Sequence, residues 1–147
     1  MDYSIHPLKG VNQIEFGTHA EVVRKSIGGD FEQFRRWKEI YPSDHFDEQG
    51  VFCYYDPDGH LEAFEFHEPA RVFLSKVNLL SLHFSQAMAL LTRLDQEFSR
   101  DLDGADFRNL SIGIYAPRAE DDEDVPVEGV LVGRSGYYDE FFSFDNA

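Results

Sequence analysis

The hydrophobic pattern is strongest between Gly50 and Phe66, where two runs rich in aromatic and β-branched residues flank Asp56-Pro57-Asp58-Gly59. Pro57 sets φ at the second turn position and Gly59 accepts a positive φ, so the stretch predicts a β-hairpin closed by a type I turn and a glycine bulge. In that register Tyr55 faces Leu61, Cys53 faces Ala63 and Phe52 faces Phe64. One face then carries Val51, Cys53, Tyr55, Leu61 and Ala63, and the other carries Phe52, Tyr54, Phe64 and Phe66 beside Glu62. A sheet covered on one side only shows one polar face. Here both faces are apolar, so the second is either covered by another element or kept as a binding surface.

Helical spacing follows in other parts of the chain. Ala20, Val23 and Ile27 lie on one helical face after Thr18-His19-Ala20-Glu21, which fits a capping box, and Gly28-Gly29 closes the helix. Phe84, Ala87, Leu91, Leu94 and Phe98 recur at spacings of three and four, which predicts a longer helix that Asp101 to Asp106 ends. Between them Asp30-Phe-Glu-Gln33 reads as a further start signal, with Phe34, Trp37 and Tyr41 on one face up to Pro42; an irregular, aromatic-lined segment is the rival reading. Residues 5–16 read as an extended lead-in and 43–50 as a polar connection. Strands are predicted at 71–74, 110–116 and 125–133, with Pro126 at an edge or strand start. The aromatic tail 137–144 adds a last strand or packs over one.

Placing His19 on His83 aligns two units, each a lead-in, an amphipathic helix and a hairpin, with Val23 over Ala87 and Ile27 over Leu91. The expectation is a single α+β domain over 1–147: an antiparallel sheet with helices on one face, in two related halves of about 1–70 and 71–147. The run from Ile14 to Gly28 (IEFGTHAEVVRKSIG) resembles the phenylalanine-glycine, capped helix, leucine-glycine signature of small bacterial domains of the BamE type. Tandem α+β units of this kind also resemble the beta-lactamase-inhibitor-protein architecture, in which a curved sheet holds a partner against exposed aromatics. Gly50 to Phe66 is similar to the GVxxYYDxDGxxExxEF hairpin of a family of small bacterial proteins. His19 stands where these families place Thr or Ser as the helix cap.

Composition narrows the partners. Of 147 residues, 28 are acidic and 13 basic, a formal net charge of −15, which opposes binding to free nucleic acid or an anionic membrane surface and suits a basic protein. The single cysteine, Cys53, lies within a predicted strand as a small core residue of a reducing compartment. Met1 to Pro7 lacks the basic start and apolar run of a signal peptide, so the expected location is cytoplasmic.

Candidate chemistry is sparse. His45-x-Asp47, His60-x-Glu62 and Glu65-x-His67 each place a pair on a common strand face, but HExxH and Cys/His clusters are missing. Asp101-x-Asp103-Gly104 with Asp106 lacks the ligand order and closing Glu of a calcium loop and reads as a helix end. Glu120 to Asp124 is an acidic loop tip. Cys53 has no adjacent base, Gly133 to Gly136 is a turn, and His19 and His83 sit at helix starts, where they cap or pack. No catalytic group, metal or cofactor is assigned on this basis. The remaining candidate is a protein-binding aromatic and acidic patch of Phe52, Tyr54, Glu62, Phe64, Tyr115, Tyr137, Tyr138, Asp139 and Glu140. The expected function is an inhibitor or immunity-type module that neutralises a basic partner such as a nuclease toxin. The alternatives are a metal-assisted hydrolase using His45, His60 and His67 with Glu62 or Glu65, and a self-associating domain whose aromatic face forms a homodimer.

Overall fold

The computed structural model describes residues 1–122 and 124–145. In chain order the elements are β1 (Asp2–His6), β2 (Gly10–Val11), β3 (Ile14–Glu15), α1 (Ala20–Ile27), β4 (Glu32–Phe34), β5 (Ser43–Phe46), β6 (Val51–Tyr55), β7 (Leu61–Phe66), β8 (Arg71–Leu74), β9 (Val77–Asn78), a 3-10 turn (Leu79–Ser81), α2 (Phe84–Leu94), β10 (Phe98–Asp101), β11 (Gly104–Phe107), β12 (Ile112–Tyr115), β13 (Gly129–Gly133) and α3 (Asp139–Asp145). The fold is α+β, with more strand than helix. Strands form a large antiparallel sheet, β10-β11-β12-β13-β7-β6-β5-β4, and a small mixed sheet, β3-β2-β1-β8-β9, in which β1 and β8 run parallel. Among the described residues no helix is long and apolar enough to cross a membrane. Glu123 of the acidic run 120–124 and the last two residues of the chain lie outside the described residues.

One row of Cα partners crosses the large sheet from edge to edge: Gln33, Asp44, Cys53, Phe64, Val132, Ile112, Phe107 and Phe98. Directly paired residues of an antiparallel sheet project to the same side, and in this row Cys53, Phe64, Val132, Ile112 and Phe107 are all buried. This side is the core. It joins Ala20, Val23 and Ile27 of α1, Phe84, Ala87 and Leu91 of α2, and Tyr3, Ile5 and Val72 of the small sheet in one apolar cluster. Tyr3 meets Phe66 at a ring separation of 4.7 Å, which ties the two sheets together.

The central hairpin has the predicted turn but not the predicted register. Asp56 N–H bonds to His60 O at 2.8 Å, Gly59 has φ 87°, and Tyr55 pairs with Leu61. Beyond that point the ladder shifts by one: Tyr54 pairs with Ala63, Cys53 with Phe64 and Phe52 with Glu65, leaving Glu62 bulged. Leu61, Phe64 and Phe66 stand three and then two apart, so strict alternation would send either Leu61 or both phenylalanines away from the core. A bulge restores all three to one side, and burying each is worth about 1.5–3 kcal/mol. Phe64 and Phe66 are therefore core residues, not members of the outer aromatic face.

Several further expectations are settled for equally local reasons. His19 caps α1, as its place in the sequence implied, with its Nδ1 accepting from Glu21 N–H. The helix expected over 30–41 is an edge strand, β4, followed by a loop in which Arg36 bonds Glu39 and lies 3.8 Å over the Tyr54 ring. Trp37 is 88% exposed, so its helical spacing had no core to face. The polar connection 43–50 contains β5, whose Ser43 and Asp44 are buried, Asp44 accepting from Arg24 and from the Tyr55 hydroxyl. α2 stops at Leu94 because the Asp95 carboxylate takes N–H bonds from Glu97, Asn109 and Leu110, and Phe98 passes into β10. The tail packs over the sheet, Tyr137 against Gly133 of β13 and Tyr138 against Gly113 of β12, and goes on into α3 where a last strand was the other expectation.

Each half of the chain docks its helix start on its long hairpin in the same way. Leu61 N–H bonds to Thr18 O and Ala20 N–H to Gly59 O, both at 2.9 Å; Val127 N–H bonds to Leu82 O at 3.0 Å and Phe84 N–H to Val125 O at 2.9 Å.

Candidate functional site

The neighbouring row of the large sheet faces away from the core: Glu32, His45, Phe52, Glu65, Leu131, Gly113, Asp106 and Ser99. Beside it on the same face run Gly104, Tyr115 and Gly129. Three glycines on adjacent strands leave the sheet without side chains there and open a trough of about 470 Å³. Leu131 lies on its floor, Tyr115 and Tyr138 flank it, and Glu65, Asp101, Asp103 and Asp106 bring four carboxylates. Among the described residues its lining includes no basic side chain.

Gly113 has a definite steric role, because a Cβ there would come within 2.4 Å of the Tyr138 hydroxyl and 2.7 Å of Asp106 Oδ1. Tyr138 is hydrogen-bonded to Asp106, and burial raises the Asp106 carboxyl above the usual carboxylate range despite that bond. Burial, then the Asp106 charge, pushes the Tyr138 hydroxyl far above its ordinary value, so it acts as a proton donor throughout the physiological range. Tyr54 donates to Glu65 Oε1 at 2.5 Å and is raised in the same direction, first by burial and then by Glu65. Two of the four carboxylates hold tyrosine hydroxyls, Asp106 that of Tyr138 and Glu65 that of Tyr54, while Asp101 and Asp103 are exposed, so the trough is acidic and favours an entering cation.

The residues singled out in the sequence divide into groups. Tyr115, 47% exposed, and Tyr138 line the trough. Phe52 and Tyr54 share the outer face, but Tyr54 is buried beneath Arg36 and Tyr137. Tyr137 packs over Gly133, where a Cβ would meet its ring at 2.7 Å. Half of the aromatic face is thus a covered second layer and half is open. Glu62 sits on the bulge near Arg134 at 3.5 Å, Asp139 pairs with Arg108 at 3.2 Å, and Glu140 is exposed on α3. Phe64 is on the opposite side of the sheet.

The histidines do not converge as the hydrolase alternative requires. His60 stands at the turn end of the central hairpin, while His45 and His67 meet at the other end, with Nε2 atoms 2.9 Å apart. A strand of the length of β7 separates the two ends by about 17 Å. Burial, then the adjacent His67, holds His45 below the usual imidazole range.

Asp101, Asp103 and Asp106 were missed because they read as a helix end. Their signal was nonetheless present: Asp101-x-Asp103-Gly104 is the β10–β11 hairpin turn, with Asp101 Oδ1 accepting from Asp103 N–H at 2.8 Å, and Asp106 follows Gly104 at strand period two. Comparison of the chain with protein-family models, with curated proteins and with solved structures gives no match.

Proposed function

We propose that this protein is a non-catalytic binding module of inhibitor or immunity type, which holds a basic protein partner against the outer face of the large sheet with a lysine or arginine side chain seated in the trough. The observation that carries the reading is the trough itself: four carboxylates and two tyrosines around a glycine-floored cleft, with no basic side chain in the described lining. A net charge of −15 adds long-range attraction for a cationic surface. The duplicated docking of helix start on hairpin supports a further reading of the chain as two related helix-plus-hairpin units of BamE or beta-lactamase-inhibitor type, joined through β7 and β13. A buried, unpaired Cys53 fits a reducing, cytoplasmic setting.

The test is capture from the source cell's lysate at low salt with wild type and with a Tyr115→Ala/Asp103→Asn double variant. Both substituted side chains are solvent-exposed, so the variant keeps its core. The expected result is a stoichiometric basic protein that binds wild type, is lost with the variant and associates more slowly as salt rises. Retention by the variant, or an on-rate indifferent to salt, would count against the trough as the binding site.

A further inference from the structure

A second constellation lies at the open end of the central hairpin. His45 is on β5, His67 follows the last residue of β7, and their Nε2 atoms are 2.9 Å apart. Asp47 Oδ1 lies 3.7 Å from His45 Nε2. The donors come from two segments, the end of β5 with the turn that follows it and the turn after β7, and each histidine ring is held by something other than the cluster itself.

His67 is fixed by its backbone and by its ring. Its N–H bonds to Gly50 O, its carbonyl accepts from Ala70 N–H, both at 2.9 Å, and Nδ1 lies 2.6 Å from Glu68 O. A carbonyl oxygen only accepts, so Nδ1 carries the proton, and in the neutral ring Nε2 aims a lone pair at His45. His45 stacks flat on Phe52, with ring centroids 3.9 Å apart and planes within 6°. Asp47 opens a turn closed by Gly50 N–H to Asp47 O at 3.1 Å. Gly50 has φ 71°, and a Cβ there would fall 2.5 Å from His67 O, so only glycine lets the Asp47 turn press against the His67 turn.

We propose that His45, His67 and Asp47 form a binding site for one divalent transition metal ion of the zinc class. Two nitrogens about 2.1 Å from a shared tetrahedral ion stand about 3.4 Å apart, so the Nε2 pair, 2.9 Å apart, takes the ion by opening about half an ångström as each ring turns off the line between them. Donation of the second ring nitrogen to a backbone carbonyl is how metal-ligating histidines are oriented. Imidazole with carboxylate selects zinc-like ions over magnesium or calcium, which take oxygen donors. The Asp47 side chain, 85% exposed, is free to swing onto the ion, and its exposure leaves the remaining coordination positions open to water. The other close trio, Asp56, Asp58 and His60, has a different explanation: Asp56 Oδ1 accepts from Asp58 N–H and His60 N–H, both at 2.9 Å, and so caps the turn. The metal site does not depend on the trough or its partner.

The experiment is calorimetric titration of the chelator-stripped full chain with zinc ion alone, in excess magnesium to occupy the acidic surface. Wild type and His60→Ala are expected to take up one zinc ion per chain, and His45→Ala and His67→Ala to lose that uptake while melting, metal-free, near the wild-type temperature. Imidazole nitrogen resonances of wild type provide a second reading that does not depend on the variants folding, in which zinc shifts His45 and His67 and leaves the other histidines unmoved. Absence of zinc uptake by wild type, equal uptake by a folded His67→Ala chain, or shifts spread over all the histidines would overturn the proposal and leave the pair as an N–H···N hydrogen bond.

Discussion

Replacing Asp44 by alanine probes the contact that pins α1 to β5. Its carboxylate is fully buried and accepts from Arg24 Nε at 2.8 Å, Arg24 Nη2 at 3.2 Å and the Tyr55 hydroxyl at 2.6 Å. Removing one member of a buried ion pair costs about 3–5 kcal/mol, because the other charge is left without compensation. Arg24 keeps 18% of its side-chain surface and recovers some hydration, which places its share near about 3 kcal/mol, while the orphaned Tyr55 hydroxyl adds about 1 kcal/mol. A loss of roughly 3–4 kcal/mol is a large part of the roughly 5–15 kcal/mol that holds an ordinary domain folded. With a urea m-value of about 2 kcal/mol/M, the midpoint falls by about 1.5–2 M. The assay is urea unfolding of Asp44→Ala, Arg24→Met and the double variant. The double variant is expected to recover much of the single loss, since it removes both charges. A loss under about 1 kcal/mol, or strict additivity of the two changes, would refute the assignment of Asp44 and Arg24 as one coupled unit.

Asp106→Asn is expected to stabilise the protein at neutral pH, a gain that would mark the trough as built for something other than stability. Burial raises the folded-state carboxyl, so between the ordinary carboxylate range and that raised value the folded chain binds the proton more tightly than the unfolded one, and wild type loses stability as pH rises. The advantage of the variant in urea midpoint should therefore grow with pH across this window and then level off; an advantage that shrinks with pH would contradict the burial. Asp95→Ala removes a carboxylate, 3% exposed, that accepts from Glu97, Asn109 and Leu110 N–H groups. The expected cost is about 3 kcal/mol, a fall in Tm of about 6–12 °C by calorimetry, and a fall under about 2 °C would show that water replaces these bonds without penalty.

What the amino-acid order determined by itself was everything that depends on neighbours in the chain. The turn at Asp56 to Gly59 needs only a fixed φ at Pro57 and a positive φ at Gly59, and α1 needs only an apolar stripe and a local stop, so these elements and the start of α2 stand where their spacing put them. Even the hairpin bulge was written in the uneven spacing of Leu61, Phe64 and Phe66, although strict alternation concealed it. The tertiary structure decided the rest, because the deciding contacts are distant in sequence. Asp95 ends α2 with donors from residues 109 and 110, Arg24 makes a buried strand of the polar segment around Asp44, and the Arg36 loop covers Tyr54 while Tyr115 stays open. The trough had only part of its signal in the chain: Tyr115 and Tyr138 stood out as aromatics, but Gly104, Gly113 and Gly129 acquire meaning only when three strands align them into a floor. His45 and His67 are 22 positions apart, and only the sheet register and the close approach permitted by Gly50 bring their Nε2 atoms together.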